Sequence, residues 1–262
     1  MLAQSVNLQT KRTPGATIGE TEPGTLRLQI PAGPAGRYRL AQLDDYSGLP
    51  RKSSPWSPES VIQVQMRASS AMIPGTWGIG FWNNPFSLAI LSGAEMLRLP
   101  ALPEAAWYFF ASSHNYLSFR DDLPAQGSLA ATFSSPGRSN PWLLLAIPVL
   151  PLLVIPPTAR KLRKLIPKII RQDSQALPID PTRWHEYRLE WRKERATFQV
   201  DGQILFETKT APDAALGFVV WVDNQYAAFP SDGRLRFGSL ANPEPAWIEL
   251  RQLTLNGKEP VY

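Results

Sequence analysis

The stretch WHEYRLEWRKERATFQVDGQILFET, residues 184–208, decides the fold. It divides into the short alternating runs 184–192, 195–202 and 203–209, and the last two meet at Asp201-Gly202. Glycine takes φ > 0 at little cost, so Val-Asp-Gly between two alternating runs predicts a tight β-hairpin. Working outward, TLRLQIP (25–31) sets Leu26, Leu28 and Ile30 against Arg27 and Gln29, a period of two. Further runs fall at 37–46, 60–69, 76–82, 95–100, 105–112, 116–120, 128–134, 216–224, 234–239 and 247–255. Short strands separated by turn residues, without alternating helices, predict an all-β sandwich or barrel. A helical period occurs only at 158–172.

A chain of 262 residues suits one large β domain or two small ones, and 44% apolar residues suffice for a core. The 26 prolines and 17 glycines match the many turns such a fold needs. Cysteine is absent, which excludes disulfides, thiolate metal sites and a cysteine nucleophile. The net charge of +5 is local: Arg160, Lys161, Arg163, Lys164, Lys168 and Arg171 lie together without an acid. Of 27 basic residues the other 21 face 22 acidic ones, which argues against a nucleic-acid-binding surface and for a local contact with an anionic membrane. The first twenty residues contain no apolar signal-peptide core, and the expected location is the cytoplasmic side of a membrane, bound peripherally.

The run 184–208 resembles the concanavalin A-like lectin and glucanase superfamily, most closely its laminarinase and lichenase type of glycoside hydrolase. The resemblance rests on Trp184, His185, Tyr187, Glu190, Trp191, Phe198, Val200, Asp201 and Gly202, and extends to GTWGIGFW (75–82), LGFVVWVDN (216–224) and WIELRQLTL (247–255). It covers about residues 60–255 with an interruption at 135–180. It implies a jelly-roll sandwich of two curved antiparallel sheets. The expected organisation is a flexible arm over 1–24, a single domain over 25–262, and an insertion at 140–172. Those hydrolases carry their carboxylates on a Glu-x-Asp-x-(x)-Glu strand. The matching strand here is EAAWYFFAS (104–112), whose one carboxylate is Glu104. A retaining mechanism needs two carboxyls about 5–5.5 Å apart, so the scaffold carries over and the chemistry does not.

Alternate residues of a strand share a face. The likeness places Trp221 and Asp223 in the concave cleft. On 105–114 both faces are aromatic: Trp107 and Phe109 on one, Tyr108, Phe110 and His114 on the other. A sandwich strand has one core face, so one aromatic set must line the cleft. Candidate ligand contacts are Trp82, Asn83, Trp107, Tyr108, Phe110 and Trp221. Asp223, an acid among aromatics, is the candidate proton donor and His114 its candidate partner, whereas His185 reads as structural. The acid pairs at 44–45 and 121–122 read as solvated loop ends. Two histidines without a carboxylate cluster predict no transition-metal site and no cofactor, with a structural calcium left open.

The insertion begins with NPWLLLAIPVLPLLVIPP (140–157). As a helix its apolar part would reach about 22 Å, short of the roughly 30 Å of a bilayer core, and Pro148 and Pro151 break it. Next, Leu162, Leu165, Ile166, Ile169 and Ile170 form one helical stripe, with Pro167 expected to split it into two turns. An apolar stripe with basic flanks is the pattern of a helix lying in a membrane interface. The docking candidates are Trp142, Leu144, Leu153, Lys161, Arg163, Lys164, Lys168 and Arg171; a lid over the cleft and a dimer contact are the alternatives. Together these residues predict a membrane-associated jelly roll that binds a glycan or glycolipid, with catalysis left open. The alternatives are an acid-catalysed hydratase or cyclase acting on an apolar isoprenoid-like molecule, and a non-catalytic lipid-binding module. Oligomeric state stays open.

Overall fold

Asp201 and Gly202 take φ of +52° and +75°, closing a two-residue hairpin as the Val-Asp-Gly run predicts. The computed structural model describes residues 7–85, 101–135 and 156–256. In chain order the strands are β1 (Gln9–Arg12), β2 (Thr17–Glu22), β3 (Thr25–Ile30), β4 (Leu40–Asp44), β5 (Ser60–Ala68), β6 (Thr76–Trp82), β7 (Ala105–Ala111) and β8 (Gly127–Ser134). Helix α1 (Pro156–Ile169) follows. Then come β9 (Arg171–Ala176), β10 (His185–Arg192), β11 (Arg195–Val200), β12 (Gln203–Thr208), β13 (Gly217–Asp223), β14 (Gln225–Ala228), β15 (Arg236–Ser239) and β16 (Ala246–Asn256).

Two seven-stranded antiparallel sheets form the body. The first runs β1-β4-β13-β6-β7-β8-β9 and the second β12-β11-β10-β5-β16-β3-β2. The chain crosses between them repeatedly, at β3 to β4, β4 to β5, β5 to β6, β9 to β10 and β12 to β13. Such crossing with antiparallel neighbours makes the fold a jelly-roll sandwich. Strands β14 and β15 form a separate small pair.

The sheets differ in what they bury. On β5, Ser60, Ile62, Val64, Met66 and Ala68 are buried while the residues between them are half-buried, so the second sheet has one core face and one wetted face. On β4 and β13 every residue is buried, and nearly every one on β6 and β7. The central strands of the first sheet are therefore largely buried on both faces. Between the sheets, Ile79, Phe81, Tyr108, Phe110, Phe218 and Val220 meet Ile62, Met66, Leu189, Trp191 and Phe198. Trp77 and Phe110 stack with centroids 3.6 Å apart, and Tyr108 meets Phe198 edge-on at 5.2 Å.

Several expectations change. Residues within 1–24 are not a loose arm: β1 pairs with β4 and β2 with β3. Edge strands need only backbone partners, so polar side chains do not prevent them from forming. Residues 116–120 form no strand beyond a bridge from Tyr116 to Ala228. The acids at 44–45 are buried, because Asp44 accepts from the Ser47 backbone N–H at 2.7 Å and Asp45 accepts from the Phe218 N–H at 2.8 Å and the Trp56 indole. The pair at 121–122 is exposed, as expected. The run 95–100 lies outside the described residues.

Helix α1 continues through Pro167 rather than breaking there. Proline leaves the Arg163 carbonyl without its usual donor, but the Ile170 N–H reaches the Ile166 carbonyl at 2.8 Å and closes the last turn. The helix ends at Ile169, and Arg171 opens edge strand β9.

Replacing Gly202 by alanine at φ +75° should destabilise the protein by about 1 kcal/mol in a denaturant titration. Gly19→Ala, on β2 with open space around it, should be neutral within about 0.5 kcal/mol. Equal midpoints for the two variants would contradict the hairpin geometry.

Candidate functional site

The outer face of the first sheet carries a second aromatic cluster. Register places Trp221 beside Gly78 and Gly78 beside Phe109; Val219 beside Gly80 and Gly80 beside Trp107; and Trp82 between Gly217 and Ala105. Three adjacent strands, β13, β6 and β7, thus bring Trp221, Trp82 and Trp107 to one surface. Their rings are 5.7 Å (Trp82 to Trp107), 5.7 Å (Trp107 to Trp221) and 6.4 Å (Trp82 to Trp221) apart. Phe109 lies 5.4 Å from Trp221 and 5.2 Å from Trp107. The glycines make this possible: a Cβ on Gly78 would sit 2.7 Å from the Trp221 ring, and one on Gly80 2.4 Å from Trp107 Cβ.

The floor is partly closed. Trp221 is 7% exposed and Phe109 8%, while Trp82 and Trp107 are half-buried. Trp82 Nε1 is buried and has no hydrogen-bond partner among the described residues. At one margin Ile166 of α1, and Ile170 just beyond its end, join a cluster with Phe133, Ala131 and Trp107. Two cavities lined by described residues, of about 660 and 530 Å³, lie at the β10 to β12 side of the molecule and not over this floor.

Asp223 ends the row that carries Trp221. Its Oδ1 accepts from the Thr76 hydroxyl at 2.7 Å and from the backbone N–H groups of Thr76 and Gln225 at 3.2 Å; its Oδ2 faces the Tyr38 hydroxyl at 3.4 Å. The Trp221 indole donates to the same Thr76 oxygen at 3.0 Å. Burial pushes the Asp223 carboxyl up to about 7, against the pull of these hydrogen bonds. Burial, with Asp223 beside it, also raises Tyr38 well above the usual phenol range. The arrangement locks the Trp221 indole through Thr76 to a buried acid.

The predicted site residues divide. Trp82, Trp107, Trp221 and Asp223 share the outer face. Tyr108 and Phe110 do not: both lie in the core between the sheets, and the Tyr108 hydroxyl sits 2.7 Å from the Gln199 carbonyl and 3.0 Å from that of Arg188. Period two decides this, since Trp107 and Tyr108 cannot face the same way. Asn83 is spent on the loop: its amide donates to Leu102 at 2.7 Å and accepts from the Glu104 N–H at 3.2 Å. His114 is exposed, with its ring 6.1 Å from that of Tyr226, and no hydrogen bond joins it to Asp223. His185 lies 2.7 Å from the Asp201 carboxylate, a structural tie across the hairpin. Phe109 joins with the Trp107 set, one of the two aromatic sets offered for the cleft, whereas Tyr38 and Thr76 join the site unforeseen; the Gly-x-Gly spacing at 78–80 leaves room for rings from both neighbours.

In α1, Arg163 is not a surface cation. It is 4% exposed, donates to the Ser118 carbonyl at 2.9 Å, pairs with Asp121, and lies over Tyr116 and Phe229 at 5.3 and 5.7 Å. It pins the helix to the loops beneath. Arg171 likewise donates to Ser134 Oγ at 2.9 Å. Lys161, Lys164 and Lys168 remain exposed, together with Leu165 and Ile169 at 48% each. The stripe is thus shared: Ile166 and Ile170 face the sandwich, Leu165 and Ile169 face outward. Trp142, Leu144 and Leu153 lie outside the described residues. Among those described, no helix is long and apolar enough to cross a membrane, and no group of three or more histidines and carboxylates could hold a metal ion.

No family model matches the chain, and no curated protein does. Among solved structures it is similar to a β-glucanase from Bacillus licheniformis, at 11% identity and a TM-score of 0.47, covering 97% of this chain and 94% of that one. A legume lectin-like domain from Entamoeba histolytica is similar at 9% identity and a TM-score of 0.47, covering 96% and 90%. The carbohydrate-binding module CBM66 from Bacillus subtilis is similar at 9% identity and a TM-score of 0.44, covering 98% and 99%.

Three buried carboxyls make stability fall with rising pH. Burial raises Asp223 and Glu104 to about 7 and Asp45 to about 6. The folded state holds their protons more tightly than the unfolded chain, whose carboxyls titrate near about 4. The contribution is therefore complete below about pH 4 and is lost as pH rises through about 6 to 7. Glu249 works oppositely: burial alone would raise it, but Arg67 and Arg27 more than offset that, and its stabilisation is lost in acid. Denaturation midpoints measured across this range should show Asp223→Asn flattening the decline between about pH 4 and 7. An unchanged slope in that variant would refute the buried-acid assignment.

Proposed function

We propose that the chain binds a glycan or glycolipid on the aromatic outer face of the first sheet, beside an anionic membrane surface contacted by α1. The observation that carries this is the Trp82, Trp107 and Trp221 surface, built on the face that is not the core and holding an indole N–H without a partner among the described residues. A buried unpaired donor costs about 1–3 kcal/mol, which a sugar hydroxyl or ring oxygen accepting from Trp82 Nε1 would offset. Indoles offer broad apolar faces to the C–H faces of a pyranose while their N–H groups make polar contacts. Helix α1 borders the floor through Ile166, with Ile170 just past its end, so its displacement would open the way to the rings.

Binding fits the residues better than hydrolysis. The outward positions of β7 are Ala105, Trp107, Phe109 and Ala111, none of them an acid. Glycoside hydrolysis generally needs two carboxyls flanking one bond. Asp223 already accepts from Thr76, Gln225 and Tyr38, so its carboxyl is committed to holding the floor. Acid catalysis on an apolar substrate is the second reading, favoured by one observation: burial holds Asp223 near pH 7, where it can give up a proton.

The membrane half of the proposal rests on the outward side of α1. Exposed Leu165 and Ile169 alternate there with Lys161, Lys164 and Lys168. Such a face combines shallow apolar insertion with attraction to anionic lipid, worth roughly 1 kcal/mol per cation before screening.

Tryptophan fluorescence titrations with soluble oligosaccharides and with glycolipid micelles test the first half. Trp107→Ala should weaken a ligand found in this way by about tenfold or more. Asp223→Asn should leave binding nearly intact, whereas loss of turnover in that variant would establish the catalytic reading. Saturable binding indifferent to Trp107 would place the ligand elsewhere. For α1, Leu165→Glu/Ile169→Glu should release the protein from vesicles of phosphatidylcholine and phosphatidylserine, and added salt should do so partially. Retention of that variant on the vesicles would refute docking through this face.

A further inference from the structure

We propose a second binding site, for a phosphate- or sulfate-type oxyanion, in the cavity at the seam between the two sheets. The cavity is about 660 Å³, and its walls include Arg171, Lys193, Arg195 and Lys209, with Glu194 and Asp213 as the acids. That volume lies within the roughly 300–1,000 Å³ of small-molecule sites.

The cations arrive from separate parts of the chain. Lys193 occupies the turn between β10 and β11, Arg195 opens β11, Lys209 follows β12 and Arg171 opens β9. Strands β9 and β12 are edges of opposite sheets, joined where the Thr208 hydroxyl donates to the Asp173 carboxylate. The fold thus gathers four positive groups from distant sequence positions around one opening, against two negative ones.

Several surface arginines elsewhere are paired with acids. Arg188 pairs with Glu190, Arg192 with Glu59, and Arg120 with Asp122. Around the cavity the pairing is less complete. Lys193 and Lys209 have neither an ion pair nor a side-chain hydrogen bond among the described residues. The guanidinium of Arg171 bonds to a neutral hydroxyl, Ser134 Oγ, at 2.9 Å. Arg195 reaches Glu207 only at 3.6 Å. Lys193 and Lys209, unpaired beside two arginines, repel their like-charged neighbours, and a compact, multiply charged oxyanion relieves that while accepting several N–H bonds. Guanidinium groups add the planar fork that suits phosphate and sulfate oxygens. The cavity is separate from the aromatic floor and from the outward side of α1, so it stands whether or not either half of the proposed function holds.

The oxyanion could belong to a soluble molecule or to a lipid headgroup, and the test separates the two. The full chain would be titrated calorimetrically with inorganic pyrophosphate. In parallel it would be floated with vesicles of phosphatidylcholine, alone or mixed with phosphatidic acid. Lys193→Gln/Lys209→Gln alters two exposed side chains, and circular dichroism with a denaturation midpoint confirms its fold. Lys161→Gln/Lys164→Gln, on α1, is the control. The proposal expects pyrophosphate to bind the native chain and the cavity variant to lose at least about tenfold in affinity, with the α1 variant unchanged. If the natural source is lipid, the cavity variant also loses phosphatidic acid vesicles. If it is soluble, vesicle binding is the same for the native chain and the cavity variant. A native chain that binds neither pyrophosphate nor phosphatidic acid vesicles overturns the proposal. So does a cavity variant that matches the native chain in both measurements.

Discussion

The first sheet is apolar on both of its faces, and the rest of the structure follows from that. A sandwich needs one apolar face per sheet, and the second sheet obeys this, with Gln63, Gln65 and Arg67 alternating outward along β5. The first does not: on β7 alone, Tyr108 and Phe110 turn inward while Trp107 and Phe109 turn outward. Exposing such a surface to water is unfavourable by roughly 25 cal/mol per Å², so it must be covered by protein, by a ligand, or by both. Helix α1 and the loop carrying Leu117 and Phe119 cover its margins.

Covering the outer face has its own chemistry. Arg163 lies almost fully buried beneath α1, and its charge is tolerated because Ser118, Asp121 and two aromatic faces receive it. This cation belongs to the attachment of the helix, whereas Lys161, Lys164 and Lys168 belong to its outer surface. One short basic stretch therefore does two jobs, and Arg171 beyond it does a third on the seam between the sheets.

The aromatic floor is held by hydrogen bonds as well as by packing. Trp221 is fixed through Thr76 to Asp223, and Asp44 gathers Gln42, Tyr46 and Ser47 around itself. Polar groups here orient rings rather than meet solvent. A buried acid used in this way titrates high because its charge is unwelcome, which by itself does not make it a catalyst. The Trp82 indole N–H differs, having no partner among the described residues.

The sequence by itself determined most of the strands, the Asp201-Gly202 turn, the all-β class, the helical stretch near 158–172 and the presence of surplus aromatics, because period-two alternation, turn residues and helical spacing are local properties. Tertiary structure alone decided which aromatics were surplus, because a strand with two apolar faces shows no preference until its neighbours choose a register. It also decided that Asp44 and Asp45 are buried, that Arg163 is an anchor, and that the first residues pair into both sheets, because each depends on groups far along the chain. The cationic seam was invisible for the same reason: Arg171, Lys193, Arg195 and Lys209 meet only when edge strands of opposite sheets come together.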